Sequence, residues 1–465
     1  SKHDVNVIYV AFNHHKYGDF KPYIFMSKDK GKSWESISNN LPERGSVYSL
    51  EEDHEKEGLI FCGTEFGAFF SPDFGQRWKK LSNGLPTISV RDIAIQSREN
   101  DLVLGTFGRG FYVLDDYSLL RNIDNKQKLV PKIFPIRDAL MWEKASPLGR
   151  SEKSFQGDNF FLSENLDPVA LISYSYDSSP ESLKTKRQKR ESKLIKDKKD
   201  VSYPTYNEFY EETNEIMPQL VFTIKDKNGL VVKKIYRPLS KGVSRFEWNL
   251  RYEVNTPVGR SSSQVSRGTL VNPGKYSVKM SLLYKGSISE IVPEVYFNVV
   301  ALDNTVMPAK NREEKVNFQR KVAVLQGEIG EYSNKLSEMK NKMPYILNAI
   351  KKTEKSADFL LNNYNSINKS IKEIEKLFFG DSVKGKLDIQ SVPTPSTRIG
   401  LIGYYQRNST ADPTITHQKS FEIAKEEFMP IKSMIEDLKV MVEKLEETLK
   451  ENKAPYTPGR LEFNN

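Results

Sequence analysis

An eight-residue pattern that occurs twice near the N-terminus restricts the fold more than any other feature of this chain. Ser27–Lys28–Asp29–Lys30–Gly31–Lys32–Ser33–Trp34 returns as Ser71–Pro72–Asp73–Phe74–Gly75–Gln76–Arg77–Trp78, 44 residues further on. Leu41–Pro42 recurs at the same offset as Leu85–Pro86, and Gly63–Thr64 returns 42 residues later as Gly105–Thr106. Short β-rich runs lie between these anchors: Val7 to Phe12, Tyr23 to Met26, Leu59 to Cys62 and Asp101 to Leu104. Each octet suits a tight hairpin. The Ser and Asp side chains accept backbone N–H bonds, the Gly supplies a positive φ, and the Trp folds back over the turn. A repeat of roughly 40–50 residues built from short strands is one vane of a radial β-sheet array.

The residues Ser27, Asp29, Gly31 and Trp34, repeated as Ser71, Asp73, Gly75 and Trp78, resemble the Asp-box (BNR) repeat of sialidases and sortilin-like propellers. A closer resemblance is to large bacterial proteins of the glycosyl-hydrolase-like or sortilin-like family. It is carried by Gly63–Thr64–Glu65–Phe66–Gly67, Val90–Arg91–Asp92–Ile93–Ala94–Ile95, Asn100 to Arg109 and Val113 to Asp116. The resemblance continues through Gly242 to Tyr252 and on to Ala454–Pro455–Tyr456–Thr457–Pro458–Gly459–Arg460. It implies a partial β-propeller of Asp-box blades, an Ig-like β-sandwich and an antiparallel long-helix bundle. Its third repeat departs from the pattern: Gly108–Arg109–Gly110 leads into Phe111 to Asp116 with no octet, as a closing blade does. About two and a half blades are thus expected before residue 120, fewer than the four a closed ring needs, with the others expected upstream of Ser1.

The remaining sequence divides by periodicity. Gln219 to Ile224 and Leu230 to Ile235 flank the turn Asp226–Lys227–Asn228–Gly229. Val243 to Leu250 alternates apolar and polar residues, and Asn272–Pro273–Gly274 and Lys285–Gly286 introduce strands from Lys275 and Glu290. An earlier pair, Asp158 to Phe161 and Ala170 to Tyr176, is expected in the same sheet. After that, apolar residues fall at alternating spacings of four and three from Phe318 to Met343, from Ile346 to Phe378 and from Phe421 to Leu449. This is the seam of long packed helices, with Pro344 read as a helix start, Pro430 as a kink, and a shorter helix at Ser396 to Gln406. The expected domains are 1–122 (last propeller blades), 123–305 (sandwich, with a charged insertion at about 182–215), 306–453 (helical bundle) and 454–465 (tail).

Composition narrows the function classes. The net charge is +9, but much of the excess is one run, Lys184 to Lys199, with no interleaved aromatics to stack bases. It reads as a solvated helix, and no nucleic acid is expected as partner. No run of about 18 apolar residues occurs, so no membrane span is expected. The single cysteine, Cys62, excludes an internal disulfide and reads as a buried strand residue. His3, His14, His15, His54 and His417 show no ligand spacing, and the Asp-box carboxylates are consumed by their own turns, so neither metal nor cofactor is expected.

Glu65, Arg91, Asp92 and Arg109 lie at strand or loop positions repeated between blades and are the candidate ligand-contacting residues near the propeller axis. No residue receives a catalytic role, because glycosidases need two carboxylates at a defined separation. The favoured expectation is a non-catalytic binding or scaffold protein that holds a protein, peptide or glycan. The alternative is a glycoside hydrolase, sialidase-like or another propeller glycosidase or lyase, with its catalytic residues mostly in upstream blades. The family resemblance further implies export in a bacterium, to the periplasm, outer surface or medium. Oligomeric state is not legible.

Overall fold

A computed structural model describes residues 1–123, 130–142, 167–177, 179–255, 268–302, 304–353, 358–407 and 409–459. The chain is mixed in class, with antiparallel sheets first and long helices after them. It divides into two compact units, one drawn from 1–135, 172–218 and 239–245, the other from 136–171, 219–238 and 246–465.

The first unit begins with three antiparallel sheets in sequence order. Strands β1 (Ile8–His14), β2 (Asp19–Ser27) and β3 (Glu35–Ser36) make the first. Strands β4 (Val47–Glu52), β5 (Ile60–Thr64), β6 (Gly67–Ser71) and β7 (Lys79–Leu81) make the second. Strands β8 (Val90–Gln96), β9 (Asp101–Thr106) and β10 (Phe111–Leu114) make the third. Every residue of β5 and β6 is buried, because the second sheet is covered on both faces. The twofold alternation of a strand then sorts its side chains. Ile60 and Cys62 face a core shared with Ile24, Met26 and Ile37, while Phe61 and Phe70 face one shared with Val90, Ile93, Leu102 and Leu104. Cys62 is accordingly fully buried, and burial raises the pKa of its thiol.

Close approach of the sheets explains the glycine of the first Gly-Thr pair, whereas a Cβ on Gly105 in the second would meet nothing nearer than 3.5 Å. A Cβ on Gly63 would stand 2.6 Å from Ser49 Oγ and 2.7 Å from the Val90 carbonyl oxygen, so no side chain fits between the second and third sheets there. The same sheets are tied by Asp53, which follows β4 and is fully buried. Arg121 donates to it through Nε and Nη2, both at 2.9 Å, and the Tyr117 hydroxyl donates at 2.5 Å. Burial pushes the Asp53 carboxyl up, but the Arg121 fork, the Tyr117 hydroxyl and the Lys56 N–H prevail and bring its pKa down to about 2. Beside it, Glu52 accepts bonds from Ser1 Oγ, the Lys2 N–H, the Gly58 N–H and the Tyr9 hydroxyl, which holds the N-terminal segment and the first sheet to the second.

The rest of the first unit includes strands Lys132–Ile133, Ala170–Asp177 and Lys241–Trp248, which form a three-stranded sheet whose last strand ends in the second unit. Arg245 fastens this sheet within the unit, donating to Ser173 Oγ at 2.9 Å and to the Asp115 and Asp116 carbonyls at 2.6 Å each. The charged stretch is two helices, α1 (Leu183–Lys196) and α2 (Tyr206–Asn214), and neither has a buried residue. Arg187 of α1 bonds Glu212 of α2 through two nitrogens, at 2.7 and 3.0 Å.

In the second unit a five-stranded sheet has the order Ala139–Met141, Ser287–Ala301, Gly274–Tyr284, Gln219–Asp226, Val231–Pro238. Only its first pair is parallel. Trp248 is buried against the rings of Tyr276 and Phe297, at centroid distances of 5.4 and 6.1 Å. The expected strand at Asp158 to Phe161 lies outside the described residues. The helices are α3 (Arg312–Lys351), α4 (Asp358–Phe379), α5 (Ser382–Lys386), α6 (Pro395–Arg407) and α7 (Ile415–Glu451). The seam residues of α3, α4 and α7 share one core with Ile399 and Ile402 of α6. Two expectations are corrected: Ala170–Asp177 does not join the five-stranded sheet but pairs with Lys132–Ile133 in the separate three-stranded one, where Ile172 to Tyr176 are buried, and Pro344 does not start a helix but lies within the 40-residue α3. Met343, Ile346 and Ile350 on either side of it are all buried, and that tertiary packing outweighs the one backbone bond a proline removes.

Two outcomes follow. Gly63→Ala is expected to lower stability by about 1–3 kcal/mol, seen as a lower urea midpoint at unchanged slope. Asp53 has a depressed folded-state pKa, so its contribution is complete above the unfolded value of about 4 and disappears as pH falls toward about 2. Asp53→Ala is expected to lose about 3 kcal/mol at neutral pH and to flatten the acid limb of a stability-versus-pH curve.

Candidate functional site

The two octets fold alike. In the first, Ser27 Oγ accepts from the Gly31 N–H at 2.8 Å and donates to Asp29 Oδ1 at 2.8 Å, and Asp29 accepts from the Ser33 N–H at 2.8 Å. In the second, Ser71 Oγ accepts from the Gly75 N–H at 2.9 Å and donates to Asp73 at 2.6 Å, and Asp73 accepts from the Arg77 N–H at 3.0 Å. Gly31 and Gly75 have φ of +85° and +78°, as the turn requires. The hydroxyl and backbone bonds of Ser33 hold the Asp29 carboxyl down to a pKa of about 2. Both carboxylates are thus committed to their own hairpins.

The tryptophans differ. Trp34 is 45% exposed and bonds the Gly31 carbonyl of its own turn at 3.1 Å. Trp78 is 3% exposed and donates to the Ile37 carbonyl at 2.8 Å, buried between the first and second sheets. Asn40 brackets it, accepting the Trp78 N–H at 2.7 Å and donating to its carbonyl at 2.9 Å.

Because the strands are antiparallel, the octet hairpin after β6 and the β5–β6 turn lie at opposite ends of the second sheet. The candidate residues gather at the latter end. Between Val47 and Ser49 the β4–β5 register slips by one residue, and between Val90 and Asp92 the β8–β9 register does the same. Tyr48 and Arg91 are therefore the extra residues of two bulges at matching positions, where a strand's side-chain direction is re-aimed. They meet: the Arg91 guanidinium carbon lies 3.9 Å from the Tyr48 ring centroid and 5.2 Å from that of Phe107. Glu65, in the β5–β6 turn, accepts the Tyr48 hydroxyl proton and lies 3.7 Å from Arg91 Nη2. Burial and that bond to Glu65 raise the Tyr48 pKa. His15 adds an edge-on ring 6.4 Å from Tyr48.

Of the four residues singled out by sequence, Glu65 and Arg91 come together. Asp92 is exposed, and its carboxylate accepts the adjacent Ile93 N–H at 3.0 Å. Arg109 is exposed in the turn between β9 and β10. Tyr48 and Phe107 were missed. Position 48 stands 43 residues before Arg91 and was open to the repeat comparison, but a bulge has no sequence signature of its own. Phe107 is 70% exposed, and Phe66, next to Glu65 in the β5–β6 turn, is 47% exposed. Among the described residues no group of three or more His, Cys, Asp or Glu is placed to hold a metal ion, and no helix is long and apolar enough to cross a membrane.

No family model matches the chain, and no curated protein matches it. Among solved structures it is similar to an ancestral GH74 enzyme at 12% identity and a TM-score of 0.21, over 66% of this chain and 35% of that one. The chain therefore spans well under two thirds of that enzyme, and a likeness of this size carries no argument about activity.

The tryptophans give a paired prediction. Trp78→Ala is expected to cost about 3–5 kcal/mol by emptying a buried site, whereas Trp34→Ala is expected to cost less than about 1 kcal/mol. Parallel chemical denaturation of the two variants measures the difference.

Proposed function

We propose that this chain belongs to a non-catalytic binding and scaffold protein, and that the Tyr48–Glu65–Arg91–Phe107 cluster contacts its protein, peptide or glycan ligand. The observation that carries this reading is the Arg91 guanidinium held against two aromatic rings, those of Tyr48 and the exposed Phe107. Arginine and aromatic side chains fixed in this way are the residue types that dominate recognition surfaces.

On this reading the three N-terminal sheets are the last blades of an Asp-box propeller. The second sheet has four strands and a buried octet tryptophan, which supports the assignment. The exposed Trp34 is then the face on which a further blade packs. The same proposal makes 123–305 an Ig-like sandwich and 306–453 an antiparallel bundle that sets the propeller's place in an exported bacterial assembly.

The competing reading, a glycoside hydrolase completed by upstream blades, needs a second carboxylate roughly 5–10 Å from the first. In this chain Glu65 is already shared between Tyr48 and Arg91. The test uses peptide and oligosaccharide arrays, with a reducing-sugar assay on the same glycans. Arg91→Ala is expected to weaken capture about tenfold or more, near 1.4 kcal/mol, with an unchanged melting temperature and no sugar released. Undiminished capture by this variant would refute the site. Sugar release lost in Glu65→Gln would favour the hydrolase.

A further inference from the structure

The second unit contains a cavity of about 360 Å³ between its sheet and helices α3 and α6, within the roughly 300–1,000 Å³ usual for small-molecule sites. Its lining holds five basic side chains, those of Arg251, Arg312, Lys315, Arg320 and Arg407, and one carboxylate, Glu253. Gln319 Nε2 donates to the Gln406 carbonyl at 2.8 Å and joins α3 to α6 at the cavity wall. The residues that follow in sequence, Arg320 and Arg407, line the same space. Arg320 lies over the Tyr252 ring at 4.6 Å. Among the described residues neither Arg320 nor Arg407 has a carboxylate partner within 4.0 Å.

The polar lining has a second peculiarity. Gln406 Oε1, Asn272 Oδ1 and Thr305 Oγ1 are buried atoms without a hydrogen-bond partner, and Gln406 as a whole is 2% exposed. A buried polar atom left unpaired costs about 1–3 kcal/mol, and such atoms in a cavity mark the place of a donor that a ligand brings. The two sets of groups select one chemistry. Guanidinium groups call for a carboxylate or phosphate, while the amide oxygens call for hydroxyl or N–H donors. Inorganic phosphate offers the charge without enough donors, and a neutral sugar offers the donors without the charge.

We propose that this cavity binds a small polyhydroxylated carboxylate, a monosaccharide acid of the uronic type. Arg320 and Arg407 take the carboxylate, and Gln406, Asn272 and Thr305 accept its hydroxyl protons. The site is separate from the Arg91 cluster and does not depend on the function proposed for that cluster.

The experiment is calorimetric titration of the intact chain with glucuronate and galacturonate, alongside glucose, acetate and inorganic phosphate. A uronate is expected to bind saturably, at least about tenfold more tightly than any of the three controls. Arg407→Ala and Arg320→Gln are each expected to weaken it about tenfold or more, while Arg91→Ala leaves it unchanged. Matching far-ultraviolet circular dichroism melts show that the variants fold. The absence of saturable uronate binding up to about 10 mM would overturn the proposal. So would equal binding of glucose or phosphate, or full uronate affinity in both arginine variants.

Discussion

Asp53 is the carboxylate on which the order of the N-terminal sheets rests. It leaves β4 of the second sheet and is gripped by Tyr117 and Arg121, which follow the last strand of the third. A fully buried charge is tolerable only when it is paired and hydrogen-bonded. The Arg121 fork, the Tyr117 hydroxyl and the Lys56 N–H meet that condition together. The consequence is geometric as well as energetic. Because a bidentate bond restricts orientation as well as distance, it helps set the third sheet against the second. Gly63 then allows the two backbones to touch, and Leu59, Phe61, Val90, Ile93 and Leu102 fill the space between them.

The candidate site is a by-product of that placement. Tyr48 and Arg91 sit on different sheets, each as the extra residue of a register slip. The matching bulges turn both side chains toward a common point, and the close packing at Gly63 brings their strands within reach. Glu65 completes the contact from the turn that follows the same glycine. The octets serve the other end of the sheets. Their carboxylates and glycines shape hairpins, and their value lies in holding the strands that carry the site. The two tryptophans separate that role into parts, since Trp34 closes only its own turn while Trp78 also seals the seam between two sheets.

Much of this was legible from the chain alone. The octet spacing located both hairpins, the continuous apolar run Leu59 to Cys62 placed Cys62 in a buried strand, and the four-and-three spacing found the residues that fill the helical core. The turn residues at Asp226 to Gly229 and at Lys285–Gly286 marked real strand pairs. These features repeat or have fixed local chemistry, so a sequence displays them. Pro344 misled because its penalty is local whereas the burial of Met343, Ile346 and Ile350 is collective. Asp92 and Arg91 were both singled out at a strand position repeated between blades, yet neighbours on a strand point apart, and only Arg91 turns into the cluster.

The sequence by itself determined where the hairpins, strands and long helices form, since each depends on periodicity or on a turn that closes within eight residues. Tertiary structure alone decided which side chains face one another. The stack of Arg91 on Tyr48, the capture of Asp53 by Arg121 and the cavity beside Gln406 all join residues distant in the chain. Their geometry comes from register slips and from the approach of one backbone to another. Neither leaves a local trace, because both are set by the balance of packing across whole sheets and helices.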